Sequence, residues 1–181
     1  MPNEVEKIVL GRRDLPNSHE LDVYLNSGGY QGLRKALSVN PEDVVAQVVE
    51  SNILGRGGAG FEAGRKWSML KKATRRYLVV NGDESEPATF KDHFLIENDP
   101  HQLVEGTIIA AYAIGASRAF IFLRGEFALG LERVQSAINA AYRIGALGRN
   151  IFGSDFSLDV VLHPGAGAYI CGEETALNLS S

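Results

Sequence analysis

One cysteine, Cys171, stands in 181 residues. A lone thiol closes no internal disulfide and cannot by itself hold an iron–sulfur cluster, so any such cluster takes its ligands from outside this chain. Basic excess is missing as well. The 18 Lys and Arg against 22 Asp and Glu leave a formal net charge of −4, which argues against a general nucleic-acid surface. No apolar run reaches the roughly 20 residues of a membrane-spanning helix. Met1-Pro2-Asn3-Glu4 does not begin a signal or transit peptide. The default expectation is a cytoplasmic protein with no direct membrane insertion. Repeats, low-complexity segments and long charge runs are also absent. What remains, 45% hydrophobic and 22% charged, suits one sizeable core with a small N-terminal appendage.

Glycine is unevenly spread. Between Ile53 and Lys66 fall Gly55, Gly57, Gly58, Gly60 and Gly64, flanked by Arg56, Phe61, Arg65 and Lys66. Such a stretch suits close backbone approach to something flat or anionic; an ordinary flexible turn is the plainer alternative. Gly55, Gly57 and Gly60 match the G-x-G-x-x-G pattern, which belongs after a strand. Here the preceding segment reads as a helix, with Asn40 placed to cap it, Pro41 at its first position and acids in the first turn. An ordinary dinucleotide-binding entry is therefore not expected.

Met1 to Pro16 has no clear period and reads as an extended arm in which little function is sought. His19–Asn26 and Tyr30–Leu37 read as short helices split by Ser27-Gly28-Gly29. After the glycine loop a brief helix is expected over Lys66–Leu70, then a strand over Tyr77–Val80 that ends in Asn81-Gly-Asp-Glu-Ser-Glu-Pro87. Asp99-Pro100 opens a helix whose Leu103, Val104, Ile108, Ala111 and Tyr112 share helical spacing. Arg118–Leu123 reads as a buried strand, Phe127–Ala141 as a helix, and Leu158–Leu162 as a third strand. Alternating strands and helices argue for an α/β fold with a mainly parallel sheet and flanking helices. Acids at a strand's C-terminal end sit where open α/β sheets bind ligands.

From Gly165 to Leu177 a second glycine-rich turn runs into a helix that starts with Glu173 and Glu174. Stabilisation of that helix N-terminus and ligand binding both account for these acids. Cys171 reads as an inert thiol, His101 and His163 as structural or exposed groups, and Trp67 as a core anchor.

Three blocks taken together identify a family: Gly55-Arg-Gly-Gly-Ala-Gly-Phe61 with Lys66-Trp67-Ser68; Asn81 to Pro87 with Phe90-Lys91-Asp92; and Gly165-Ala-Gly-Ala-Tyr-Ile-Cys-Gly-Glu-Glu-Thr-Ala-Leu177. From about Tyr30 to Leu177 the chain resembles the NADH-binding flavoprotein subunit of respiratory complex I. It is similar also to the diaphorase subunits of NAD-reducing hydrogenases and formate dehydrogenases. The resemblance implies a Rossmann-like domain over residues 53–181, after an arm and helical lead-in over residues 1–52. It implies one FMN and NADH oxidation by hydride transfer to it, the electron-input step of an NADH:quinone oxidoreductase. By resemblance, Gly55, Arg56, Gly57, Lys66, Asn81, Asp83, Glu84, Tyr169, Gly172 and Glu173 contact FMN. Phe61, Glu86 and Glu174 contact NADH. No general acid or base is needed, because hydride leaves NADH directly and catalysis is mostly positioning.

The implied partners are a subunit carrying a two-iron cluster and further subunits of a peripheral electron-transfer arm, on the cytoplasmic face of the membrane. Family members continue well past Ser181, through the ligands of a 4Fe-4S cluster that this chain lacks, so the domain is expected to be truncated. The alternative is a non-enzymatic fragment or assembly module of the same subunit. Ala88 stands where the family commonly has glycine, and His93 where it has arginine. A carboxylate near the adenosine ribose repels the extra phosphate of NADPH, so Glu174→Ala should raise the rate with NADPH relative to NADH; an unchanged ratio removes this role.

Overall fold

The computed structural model describes residues 8–71 and 73–166. Tyr169, Cys171, Gly172, Glu173 and Glu174 lie outside the described residues. Three strands, Tyr77–Gly82 (β1), Arg118–Arg124 (β2) and Asp159–Gly165 (β3), form a parallel sheet in the order β1-β2-β3, with Val80 opposite Ile121 and Ile121 opposite Leu162. Each strand runs past its expected end, to Gly82, Arg124 and Gly165. Those last residues are polar, glycine or proline, so composition does not announce them. Pro164 is tolerated because β3 is an edge strand among the described residues.

Among the described residues, seven helices precede and connect the strands: α1 (Leu21–Asn26), α2 (Gln31–Leu37), α3 (Pro41–Glu50), α4 (Ala63–Ser68), α5 (Lys91–Asn98), α6 (Pro100–Ile114) and α7 (Ala128–Arg143). Right-handed crossovers between sequential parallel strands bring the connecting helices to one face, and the side chains agree. Ile121 and Leu123 of β2 join Val104 and Ile108 of α6 and Val134 and Ile138 of α7 in one core. Alternate residues, including Tyr77, Val79, Phe122 and Val161, occupy the opposite face, where Tyr77 and Val161 are exposed.

Two elements depart from expectation. The helix expected over Lys66–Leu70 starts at Ala63, inside the glycine-rich stretch. Gly64 is buried there, and a Cβ on it would lie 2.5 Å from Val49 Cα, so its lack of a side chain lets α4 press against α3. The helix α5 has no sequence forecast. Its apolar periodicity is weak, and its N-terminus is capped from outside the segment, as described below.

From residue 8, where the description begins, the N-terminal arm is not extended. Residues 8–20 form turns laid over the start of α6. Arg12 Nε donates to Asp99 Oδ2 at 2.8 Å, its guanidinium also donates to Gln102, and it lies 4.6 Å from the Tyr24 ring centroid. Burial pushes the Asp99 carboxyl up, and Arg12 pulls it part of the way back. Beneath this clasp, Glu105 of α6 accepts from Tyr30 N at 2.7 Å, from Leu33 N at 2.8 Å and from the Tyr24 hydroxyl. α2 has no cap from its own N-cap side chain; this carboxylate serves instead.

His101 is buried in the same cluster. Its ring stacks on Tyr24 at 5.3 Å, and its Nδ1 lies 3.0 Å from the Tyr30 hydroxyl. Burial, with smaller contributions from His19 and Arg143, lowers its pKa from 6.5 to about 4. The unfolded chain thus binds this proton first as pH falls. Stability is full above about pH 6.5 and should decline towards pH 4 at up to about 1.4 kcal/mol per pH unit. Urea denaturation at pH 7, 5.5 and 4.5 should show that decline flattened in His101→Gln; equal slopes in the two proteins would rule it out.

Candidate functional site

Parallel strands end together, and the described C-terminal edge of this sheet carries Asn81-Gly82-Asp83 after β1, Arg124-Gly125-Glu126 at and after β2, and Gly165 at the end of β3. The backbones crowd there. A Cβ on Gly125 would meet Gly165 O at 2.6 Å, and one on Gly165 would meet Phe122 Cζ at 2.7 Å. Arg124 and Glu126 form a surface ion pair at 3.1 Å that raises the guanidinium pKa and lowers that of the carboxyl. Asp83 acts on Arg124 as well. Sequence reading missed this second loop. Its signal was the order polar residue, glycine, acid directly after an apolar strand, which repeats that of Asn81-Gly82-Asp83.

The acidic loop is internally organised. Asn81 Oδ1 accepts from Asp83 N at 3.0 Å, and the buried Asp83 carboxylate accepts from the Ser85 hydroxyl. Glu84, at φ +43°, turns its side chain back onto α5, where its two oxygens accept from Asp92 N at 2.6 Å and His93 N at 2.8 Å. A carboxylate on the first N–H groups of a helix is favoured both by hydrogen bonding and by the helix dipole. Glu86 is exposed. Ala88 has φ +64°, a left-handed conformation that favours glycine, which accounts physically for the glycine expected at this place.

The glycine stretch is a hairpin between α3 and α4. Leu54 and Glu62 form an antiparallel bridge, Gly55 N donates to Phe61 O at 2.8 Å, and Ala63 N donates to Ile53 O at 2.9 Å. A Cβ on Gly57, Gly58 or Gly60 would meet nothing within 4 Å, so the tip that carries Arg56 is open. Phe61 is 46% exposed, with the Arg65 guanidinium 5.8 Å from its ring centroid. Lys66 is exposed on α4.

The predicted residues thus fall into two described groups. Asn81, Asp83, Glu84 and Glu86 share the loop at the end of β1; Gly55, Arg56, Gly57, Phe61 and Lys66 share the hairpin and α4. Trp67 of α4 packs on the core, anchoring the second group. No cluster of three or more His, Cys, Asp or Glu able to hold a metal occurs among the described residues.

A protein family described as the Nuo51 FMN-binding domain matches residues 48–180. The F subunit of NADH-quinone oxidoreductase in Aquifex aeolicus is 51% identical over 171 residues, covering 94% of this chain and 40% of that protein. The corresponding protein of Streptomyces coelicolor is 54% identical over 166 residues, covering 91% and 37% respectively. Among solved structures, an NAD+-reducing [NiFe]-hydrogenase in the H2-reduced state superposes with a TM-score of 0.69 at 32% identity, covering 95% of this chain and 27% of that one. The chain spans about two fifths of the length of the curated relatives it matches.

Truncating the Glu84 side chain removes two acceptors from the start of α5. Glu84→Ala should cost about 1–2 kcal/mol in denaturant unfolding and speed amide exchange over residues 91–94. Unaltered exchange there would show that the cap is dispensable.

Proposed function

Because the chain belongs to the Nuo51 FMN-binding domain family, we propose that it supplies the flavin site of an NADH-oxidising subunit, the electron-input step of an NADH:quinone oxidoreductase. The open hairpin tip at Arg56–Gly60, beside exposed Phe61 and the basic residues of α4, carries this reading. A planar ring can approach that backbone without meeting side chains. At the strand ends Gly125 and Gly165 serve the packing of the chain itself, since a Cβ on either would meet Gly165 O or Phe122 at 2.6–2.7 Å.

In this reading Gly55, Arg56 and Gly57 lie against the flavin, with Lys66 as a cation near the ring or its phosphate. Asn81, Asp83 and Glu84 offer hydrogen bonds to the ribityl chain and ring edge, and Glu84 also holds their loop against α5. Tyr169, Gly172 and Glu173 close the site from the second glycine segment. Phe61 stacks on the adenine of NADH, while Glu86 and Glu174 bind elsewhere along the dinucleotide. When bound, FMN supplies the hydride acceptor. The chain's own part is to hold both rings in register and to keep the shared face free of side chains, which is where most of the rate gain from positioning arises. No residue has to move a proton at the nicotinamide.

With one cysteine, the chain holds no four-iron cluster. A 4Fe-4S cluster belongs to the part of the full-length subunit beyond this chain, and a subunit with a two-iron cluster is the proposed next carrier in a peripheral arm on the cytoplasmic face of the membrane. No helix among the described residues is long and apolar enough to cross a membrane. Residues 1–52 then act as the arm and helical lead-in that hold the flavin-binding residues 53–181.

A second reading is a non-enzymatic fragment or assembly module of that subunit. Absorbance spectra separate the two. The purified chain, given FMN and desalted, should keep about one flavin per chain and bleach when NADH is added. A colourless product supports the module reading and overturns autonomous activity.

A further inference from the structure

A groove of about 370 Å³ lies between residues 19–21 and α7, with His101 of α6 in its wall. Its volume is that of a small-molecule site. None of the residues assigned above to FMN or NADH lines it. One stripe of α7 supplies Leu129, Arg133, Ser136, Ala140 and Arg143, at the three- and four-residue steps that share a helix face.

His101 is 2% exposed, yet one of its ring nitrogens is unanswered. Burial and the Glu105 charge push the Tyr30 hydroxyl up, so that group keeps its proton and donates it to His101 Nδ1, 3.0 Å away. The imidazole is neutral near pH 7, because its pKa is lowered to about 4, and its own proton then sits on Nε2. Nε2 has no acceptor among the described residues. Neither is it sealed in the core, since the described side-chain atoms that are both sealed and unpartnered are Arg76 Nε and Asp99 Oδ1. With Nδ1 turned to Tyr30 and the ring face on Tyr24, this N–H opens on the groove that His101 lines.

The charges around that donor share one sign. His19 and Arg143 act on His101 as cations and, after burial, are what disfavours its protonation. Arg143 forms no ion pair among the described residues. Arg133 is half-buried, and its Nη1 donates to the Glu97 carbonyl while the rest of its fork faces no described acceptor. Glu20 and Glu132 also line the groove, but both are exposed, and neither pairs with His19, Arg133 or Arg143 among the described residues. Cations held together without a counter-charge repel one another, and guanidinium forks match the oxygens of a phosphate.

We propose that this groove is a binding site for a phosphate group, received by the guanidinium groups of Arg143 and Arg133, by His19, by the Ser136 hydroxyl and by the Nε2–H of His101. Free phosphate and a small phosphate ester carry the same chemistry, and the volume admits either. Occupation of the groove requires no flavin, so it holds or fails separately from the flavin reading.

The test is a titration followed by amide chemical shifts. The isotope-labelled 181-residue chain, free of flavin, receives inorganic phosphate in one series and glycerol phosphate in another, at pH 7 and fixed ionic strength. Both should give saturable shifts at residues 19–21, at His101 and along Arg133–Arg143, with the hairpin at 55–60 and the loop at 81–86 unmoved. Equal affinities assign the groove to free phosphate, and tighter binding of the ester assigns it to a phosphorylated metabolite. Arg143→Gln should weaken binding about tenfold or more, the scale of a lost charge-assisted contact, and His19→Gln severalfold. Arg149→Gln removes the same charge from an exposed position that does not line the groove, and it should bind as the native chain does. No saturable shift in the native chain, shifts centred on the hairpin or the acidic loop, native affinity in both Arg143→Gln and His19→Gln, or equal weakening by Arg149→Gln each overturn the proposal.

Discussion

A buried carboxylate sets the relation between the two halves of the described structure. Glu105 projects from the helix that joins β1 to β2 and takes up the backbone donors at the start of α2, together with the Tyr24 hydroxyl. Hydrogen bonds to an ionised acceptor contribute about 1.5–3 kcal/mol each, and a lost acceptor leaves buried N–H groups without water. α2 and α3 are thereby registered on α6. α3 in turn carries α4 through the contact at Gly64, and the glycine hairpin is the connection between those two helices. A chain of close contacts thus runs from Glu105 to Arg56, and the hairpin tip inherits its position from a residue far along the chain. Arg12 closes the same assembly from outside, on Asp99 and Tyr24.

The glycines divide by what surrounds them. At Gly64, Gly82, Gly125 and Gly165 an added Cβ would meet another atom at 2.5–2.7 Å, so the fold itself requires them. At Gly57, Gly58 and Gly60 it would meet nothing within 4 Å, and the chain's own packing requires none of them. Gly58 and Gly60 are held partly by backbone conformation, at φ +110° and +62°. Gly57 has neither reason, so a ligand account has most to explain there.

Much of this was legible in the residues. The three strands announced themselves by short β-branched and aromatic runs, and α6 and α7 by apolar spacing, because local composition and burial agree there. The acidic loop and the glycine stretch were recognisable as blocks. What stayed hidden depends on partners distant in sequence. α5 takes its cap from Glu84, eight residues before Asp92. α2 takes its cap from Glu105, and the arm is ordered by Asp99, 87 residues from Arg12. Arg124-Gly125-Glu126 escaped notice because a short turn after a strand has an ordinary structural reading, and only the approach of Gly165 shows its backbone to be crowded.

Glu84 shows how geometry alters electrostatics. A carboxylate beside a flavin ordinarily opposes the reduced, anionic ring. In the structure both Glu84 oxygens accept N–H groups from the first turn of α5, where the partial positive charge of the helix end offsets part of the carboxylate's field. Its charge is therefore partly answered locally, and its main effect is to hold Asn81 and Asp83 at the strand end. Glu86, two residues on, is exposed. In the proposed site, the carboxylate that acts directly on the dinucleotide from this loop is accordingly Glu86. Glu84, the residue of this loop expected against the flavin, also fixes the loop's backbone.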